Sequence, residues 1–82
     1  MKAYTKEEKF MLALFSAAND SGDIEEEVNR YEIGKKIGMH PPGIDNLCDR
    51  LAQANFIKKG SGDTLYLTSH GMKLALQIAK ER

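Results

Sequence analysis

The sequence predicts a mostly helical α+β fold, with a three-helix core, a short β-hairpin and a closing C-terminal helix. Three observations predict it. Apolar residues recur at helical spacing near both ends of the chain and again through its middle. Two short runs, Phe56 to Lys59 and Thr64 to Leu67, flank Gly60-Ser61-Gly62-Asp63, which is hairpin chemistry. Capping and turn residues fall between these segments rather than inside them.

Thr5 and Glu8 form a capping-box pair, the hydroxyl capping the helix while the carboxylate reaches back to the cap amide. The first helix is expected from Lys6 to Ala18, with Phe10, Leu14 and Ala17 or Ala18 on one stripe and Met11 and Phe15 beside them. That stripe reads as core. Asn19-Asp20-Ser21-Gly22-Asp23 is turn chemistry and should end the helix. Ile24 to Val28 encloses Glu25, Glu26 and Glu27, with no histidine close by to complete a metal ligand set. The run reads as a solvated charge cluster.

Asn29 caps the second helix, with Glu32 as its box partner. Arg30, Glu32, Lys35 and Lys36 are expected outward, and Ile33 and Ile37 inward. Gly34 lets another backbone come close, and Gly38 falls where the chain must leave the helix through the left-handed region. A third helix is expected from Pro42 to Ala54, because a residue before proline avoids helical geometry and Pro42 suits the first helical position. Ile44, Leu47, Cys48 and Leu51 make its inner face, and Asn55 is a left-handed terminator. Residues 30–54 thus read as a helix-turn-helix whose second helix keeps an outward face free.

The hairpin occupies about 56–67. Thr68 or Ser69 then caps a last helix over about 69–80, in which Met72, Leu74, Ala75, Leu76, Ile78 and Ala79 cover a wide arc. So wide an apolar face wants burial on two fronts, the first helix and a second copy of the chain, and a homodimer through this helix is expected.

Eighty-two residues allow one domain spanning 1–82. A charged content of 29% and the lack of any apolar run of membrane-spanning length argue against a membrane protein. The opening MKAYTKEEKF has no apolar signal-peptide middle, so a cytoplasmic location is expected. One cysteine forms no internal disulfide, which fits a reducing compartment. Formal net charge is zero, but it is unevenly spread. Residues 1–30 hold four Lys/Arg against seven Asp/Glu, and residues 31–60 hold five against three, so the basic side coincides with the helix-turn-helix.

Gly34, Gly38, Ile44 and Leu47, followed by IDNLCDRLAQANFIKK and LYLTSHGMKLA, resemble winged helix-turn-helix transcription regulators, most of all those of the multiple-antibiotic-resistance type. The resemblance covers about Arg30 to Ala79. In those regulators a recognition helix ends in an Asp-Arg-Leu run, a strand follows, and a Leu-Thr-x-x-Gly stretch opens the next helix. The resemblance implies a winged-helix fold, a short edge strand near Ile24 to Val28, and double-stranded DNA as partner. It also implies that Asp49 and Arg50 hold the helix end. The chain departs from the family in a hairpin tip without arginine and in lacking long dimerisation helices.

The outward positions of the recognition helix are Gly43, Asp45, Asn46, Asp49, Arg50 and Gln53. Asn46 and Gln53 can pair bidentately with adenine, and Arg50 can grip guanine or a phosphate. Lys35, Lys36, Lys58 and Lys59 are natural phosphate contacts. His40, at the mouth of the helix, can touch phosphate or serve simply as a turn residue. Enzyme chemistry finds little purchase. Cys48 sits on the inner face, His40 and His70 flank different elements with His70 expected at the surface, and no cofactor is implied. Two functions follow as expectations: a DNA-binding transcription regulator, or a protein-interaction module of the same fold with no DNA binding.

Overall fold

The computed structural model describes residues 4–22 and 26–81. Within them the chain forms α1 (Lys6–Ser21), β1 (Val28–Asn29), α2 (Arg30–Lys36), α3 (Pro41–Gln53), β2 (Ile57–Lys59), β3 (Thr64–Leu67) and α4 (Ser69–Lys80). The three strands make an antiparallel sheet in the order β1-β3-β2. It is an α+β fold in which helices outweigh the sheet.

The capping box of α1 is complete: Thr5 Oγ1 accepts the Glu8 amide at 3.1 Å, and Glu8 Oε1 accepts the Thr5 amide at 2.9 Å. The helix runs one turn beyond the expected Ala18, to Ser21, and stops at Gly22 with φ +80°. Asn19, Asp20 and Ser21 are poor helix formers, yet each can adopt helical angles. Only Gly22 enters the left-handed region without steric cost, and its amide closes the helix on the Ala18 and Asn19 carbonyls. The first glycine, not the first turn former, sets the end.

The edge strand expected from Ile24 to Val28 is seen only as Val28–Asn29, paired with Leu65 and Thr64; Ile24 and Glu25 lie outside the described residues. On the other edge Ile57, Lys58 and Lys59 pair with Leu67, Tyr66 and Leu65. Phe56 precedes the strand instead of starting it.

Asn29 caps α2 by accepting the Tyr31 and Glu32 amides at 2.9 and 3.2 Å. Gly38, at φ +77°, turns the chain out of the helix. α3 then starts at Pro41 and not at Pro42. The amides of the first helical positions have no partner inside any helix, so two successive prolines lose no hydrogen bond there. His40, before them, takes the extended geometry that a following proline demands. Asn55 ends the run at φ +66°, in the left-handed region.

One core joins all of these elements. Phe10, Met11 and Leu14 of α1 meet Ile33 of α2, Ile44, Leu47, Cys48 and Leu51 of α3, Ile57, Leu65 and Leu67 of the sheet, and Ile78 of α4. Gly34 of α2 is buried against Ile44, and a Cβ at that position would fall on the Ile44 side chain. A Gly34→Ala variant is therefore expected to lose about 1–3 kcal/mol by overpacking. On helix propensity alone it would gain about 1 kcal/mol, so the sign of the change in a chemical denaturation curve decides between the two effects.

α4 satisfies only one of its two expected fronts. Gly71, Ala75 and Ile78 are buried and Met72 and Leu74 half-buried, while Ala79 is exposed and Leu76 remains 43% exposed. No helix among the described residues is long and apolar enough to cross a membrane.

Candidate functional site

α3 lies with Ile44, Leu47, Cys48 and Leu51 sealed into the core, and this packing turns Gly43, Asn46, Arg50 and Gln53 to solvent. The tight turn at Gly38 brings α2 against the start of the helix, and the Met39 amide closes the turn on the Gly34 carbonyl at 2.9 Å. Lys35 and Lys36 are exposed at the end of α2, Lys58 is exposed on β2, and none of the three has an ion-pair partner among the described residues. His40 is the exposed cap residue of α3, and its side chain makes no capping bond.

Both aspartates of α3 are compensated by neighbouring elements. The Tyr31 hydroxyl donates to Asp45 Oδ1 at 2.7 Å, and Arg30 Nη1 lies 3.6 Å from the same oxygen. The charged acceptor pushes the Tyr31 phenol above its ordinary pKa. Asp49 is paired with Lys59, which holds its carboxyl below the usual carboxylate range. Lys59 thus has a partner on α3, unlike Lys58, in a pair whose side chains are 44% and 55% exposed. Arg50 reaches Glu7 of α1 at 3.3 Å, in a pair whose side chains are 66% and 44% exposed. So open a pair is worth about 0–1 kcal/mol and leaves the guanidinium exchangeable.

Arg30, expected outward, is buried, with a relative exposure of 8%. Its Nε donates to the Asp63 carbonyl at 3.1 Å and Nη2 to the Gly62 carbonyl at 3.5 Å, while its guanidinium lies 5.8 Å from the centre of the Tyr31 ring. The Arg30 amide also donates to Asp63 O at 3.0 Å. One side chain therefore ties the hairpin tip, α2 and α3 together. The signal was in the spacing: Arg30 lies on the same stripe as Ile33 and Ile37, three and seven residues on. Its charge masked that periodicity. The Tyr31–Asp45 bond spans fourteen residues and had no local signal.

Glu27 also departs from its expected role as a solvated charge. Its Oε1 accepts from the Thr64 hydroxyl at 2.7 Å and from the Ser61 amide at 3.2 Å, and these donors hold its carboxyl below the ordinary range. It fastens the hairpin turn from the outside. His70 is exposed but not idle: its ring stacks on Phe56 with centroids 4.7 Å apart and planes 10° from parallel. Cys48 is buried, and burial pushes its thiol up to about 11, which keeps it protonated and poorly nucleophilic.

Beside the start of α3, a groove of about 490 Å³ opens between Tyr31, Met39, Pro41 and Ile44, with Lys35 and His40 at its edge. The geometry thus offers one exposed helix face, carrying amide and guanidinium groups, with lysines on both sides and an apolar groove at its head. Compared with known proteins, the chain matches no family model, and no curated protein or solved structure shows significant similarity to it.

Proposed function

We propose that the chain is a winged-helix DNA-binding protein, a regulator of transcription that lays α3 in the major groove. In this reading α2 crosses the phosphate backbone and the β2–β3 hairpin is the wing. The observation that carries it is the compensation of both acidic groups on α3, Asp45 by Tyr31 and Arg30 and Asp49 by Lys59. A bare carboxylate facing phosphate would be repelled. With the two neutralised from neighbouring elements, Asn46, Arg50 and Gln53 are left as the groups a base edge or phosphate would meet. Lys35, Lys36 and Lys58 serve the backbone, and His40 and Gly43 lie where the helix enters the groove. The hairpin tip, held inward by Arg30, is suited to backbone contact more than to minor-groove reading.

A protein-interaction module of the same fold, with no DNA binding, is the second reading. Zero net charge and the apolar groove beside Tyr31 and Met39 favour it. A salt titration against random duplex DNA separates the two. DNA binding is expected to weaken linearly on a log–log plot, and each of Lys35→Ala, Lys36→Ala and Lys58→Ala should flatten the slope by about 0.9. Absence of binding at low salt, with a protein complex recovered by pull-down, assigns the chain to the second reading.

A further inference from the structure

We propose that the outer face of the β2–β3 hairpin, beside the start of α4, binds an unpaired nucleotide of a single-stranded nucleic acid. A cleft of about 430 Å³ opens there, with Asn55, Lys58, Tyr66, Ser69 and His70 in its lining. That volume lies in the range of about 300–1,000 Å³ that small-molecule sites occupy, so one nucleotide fits. The strand register places the key groups. Ile57 pairs with Leu67 and both are buried, so their neighbours Lys58 and Tyr66, also paired, share the face turned away from the core.

Lys59, Arg50 and Arg30 are each matched by Asp49, Glu7 and the hairpin carbonyls. In the cleft the polar groups are unspent. The side chains of Asn55, Lys58, Tyr66 and Ser69 make no hydrogen bond or ion pair with any described residue, and His70 makes only its ring stack on Phe56. No carboxylate lines the cleft, whereas Glu32 stands in the groove beside Tyr31 and Met39. Glu27, which reaches this side of the sheet, is bonded to Thr64 and Ser61 at the hairpin turn. An anion entering the cleft therefore meets an ammonium and neutral donors. A bare phosphate would use those alone, but Tyr66 and the stacked His70 add aromatic surface. A cation for the backbone beside aromatic rings for the bases is the chemistry that binds single strands. A base inside a duplex has both faces covered by its neighbours, and an unpaired one has a face to offer a ring. The cleft is thus distinct from the exposed face of α3, whose groups are suited to base edges.

The probe is a fluorescein-labelled oligothymidylate of about twelve nucleotides, within the site sizes of single-strand binders, followed by anisotropy at low salt. It should bind the whole chain, and Tyr66→Leu should weaken it about tenfold, the worth of one lost base stack. Tyr66→Phe keeps the ring and should restore most of the affinity. In the wild-type chain, backbone amide shifts in NMR should change over residues 55–58 and 66–70 when the oligomer is added, and stay put over 43–53. Absence of binding, shifts confined to α3, or an affinity that Tyr66→Leu leaves unchanged overturns the proposal. Equal affinity for thymidine monophosphate makes the ligand a free nucleotide and overturns the strand. Lys58 is common to this cleft and the duplex contacts, so Tyr66 carries the test, and Tyr66→Leu should bind duplex DNA as the wild type does. A chain that binds the oligomer but no duplex keeps the cleft and loses the duplex reading, and the reverse result does the opposite.

Discussion

Gly71→Ala should lower the thermal midpoint by about 15–25 °C, corresponding to a loss of about 3–4 kcal/mol in a domain of this size. The position is the third residue of α4, where a side chain would normally be harmless. Exchange of glycine for alanine inside a helix is ordinarily stabilising, by up to about 1 kcal/mol. Here a Cβ would run into the backbone carbonyl of Phe56, not into the movable end of a side chain. The Thr68 hydroxyl pins the same junction, donating to Asn55 O at 2.6 Å and accepting the Gly71 amide at 2.9 Å. The Thr68 amide in turn donates to Phe56 O at 3.2 Å. α4 cannot move away without breaking these bonds, so overpacking is absorbed as strain. A melt by circular dichroism checks the result. An unchanged or raised midpoint would mean that α4 does not sit against the turn after α3.

The second large effect is expected at Arg30. Arg30→Ala removes donors from the Gly62 and Asp63 carbonyls and leaves Asp45 with the Tyr31 hydroxyl alone. Charged hydrogen bonds are worth about 1.5–3 kcal/mol when one partner is deleted. Asp45 is 48% exposed and can rehydrate, so the ion pair adds little beyond that. A total of about 2–3 kcal/mol is expected from urea denaturation. Arg30→Lys should recover only part of it, because an ammonium cannot reach two carbonyls and a carboxylate with one fork. Hydrogen exchange should show the amides of the β2–β3 hairpin losing protection before those of α1 and α4. A variant within about 0.5 kcal/mol of wild type, the range of an ordinary surface change, would reduce Arg30 to a bystander. If α3 binds DNA, Arg30→Ala should weaken that binding as well, because the hairpin and α3 would no longer be held in one geometry.

These two residues mark the border between what is local in this protein and what is not. Gly71 closes the stretch Leu67-Thr68-Ser69-His70-Gly71, whose residue types have physical reasons: Thr68 caps the helix and Gly71 makes room for a carbonyl. Arg30 is buried, although a charged residue next to a helix cap is outward in most proteins. The burial of Arg30 rests on hairpin carbonyls more than thirty residues away. The same holds for Glu27, whose partners are across the sheet.

By itself, the order of residues determined the helices, the hairpin, the inner face of α3 and the caps at Thr5, Asn29 and Thr68, because periodicity and capping act within a few residues. The end of α1 and the start of α3 shifted by three residues and one, since glycine and proline rules bound a helix without choosing among neighbouring stops. The tertiary structure alone decided which charges on α3 are spent and which are free. Asp45 and Asp49 are silenced by Tyr31, Arg30 and Lys59, groups that packing brings close and that no spacing along the chain announces. Charge compensation depends on distance in space, and only the folded chain sets that distance.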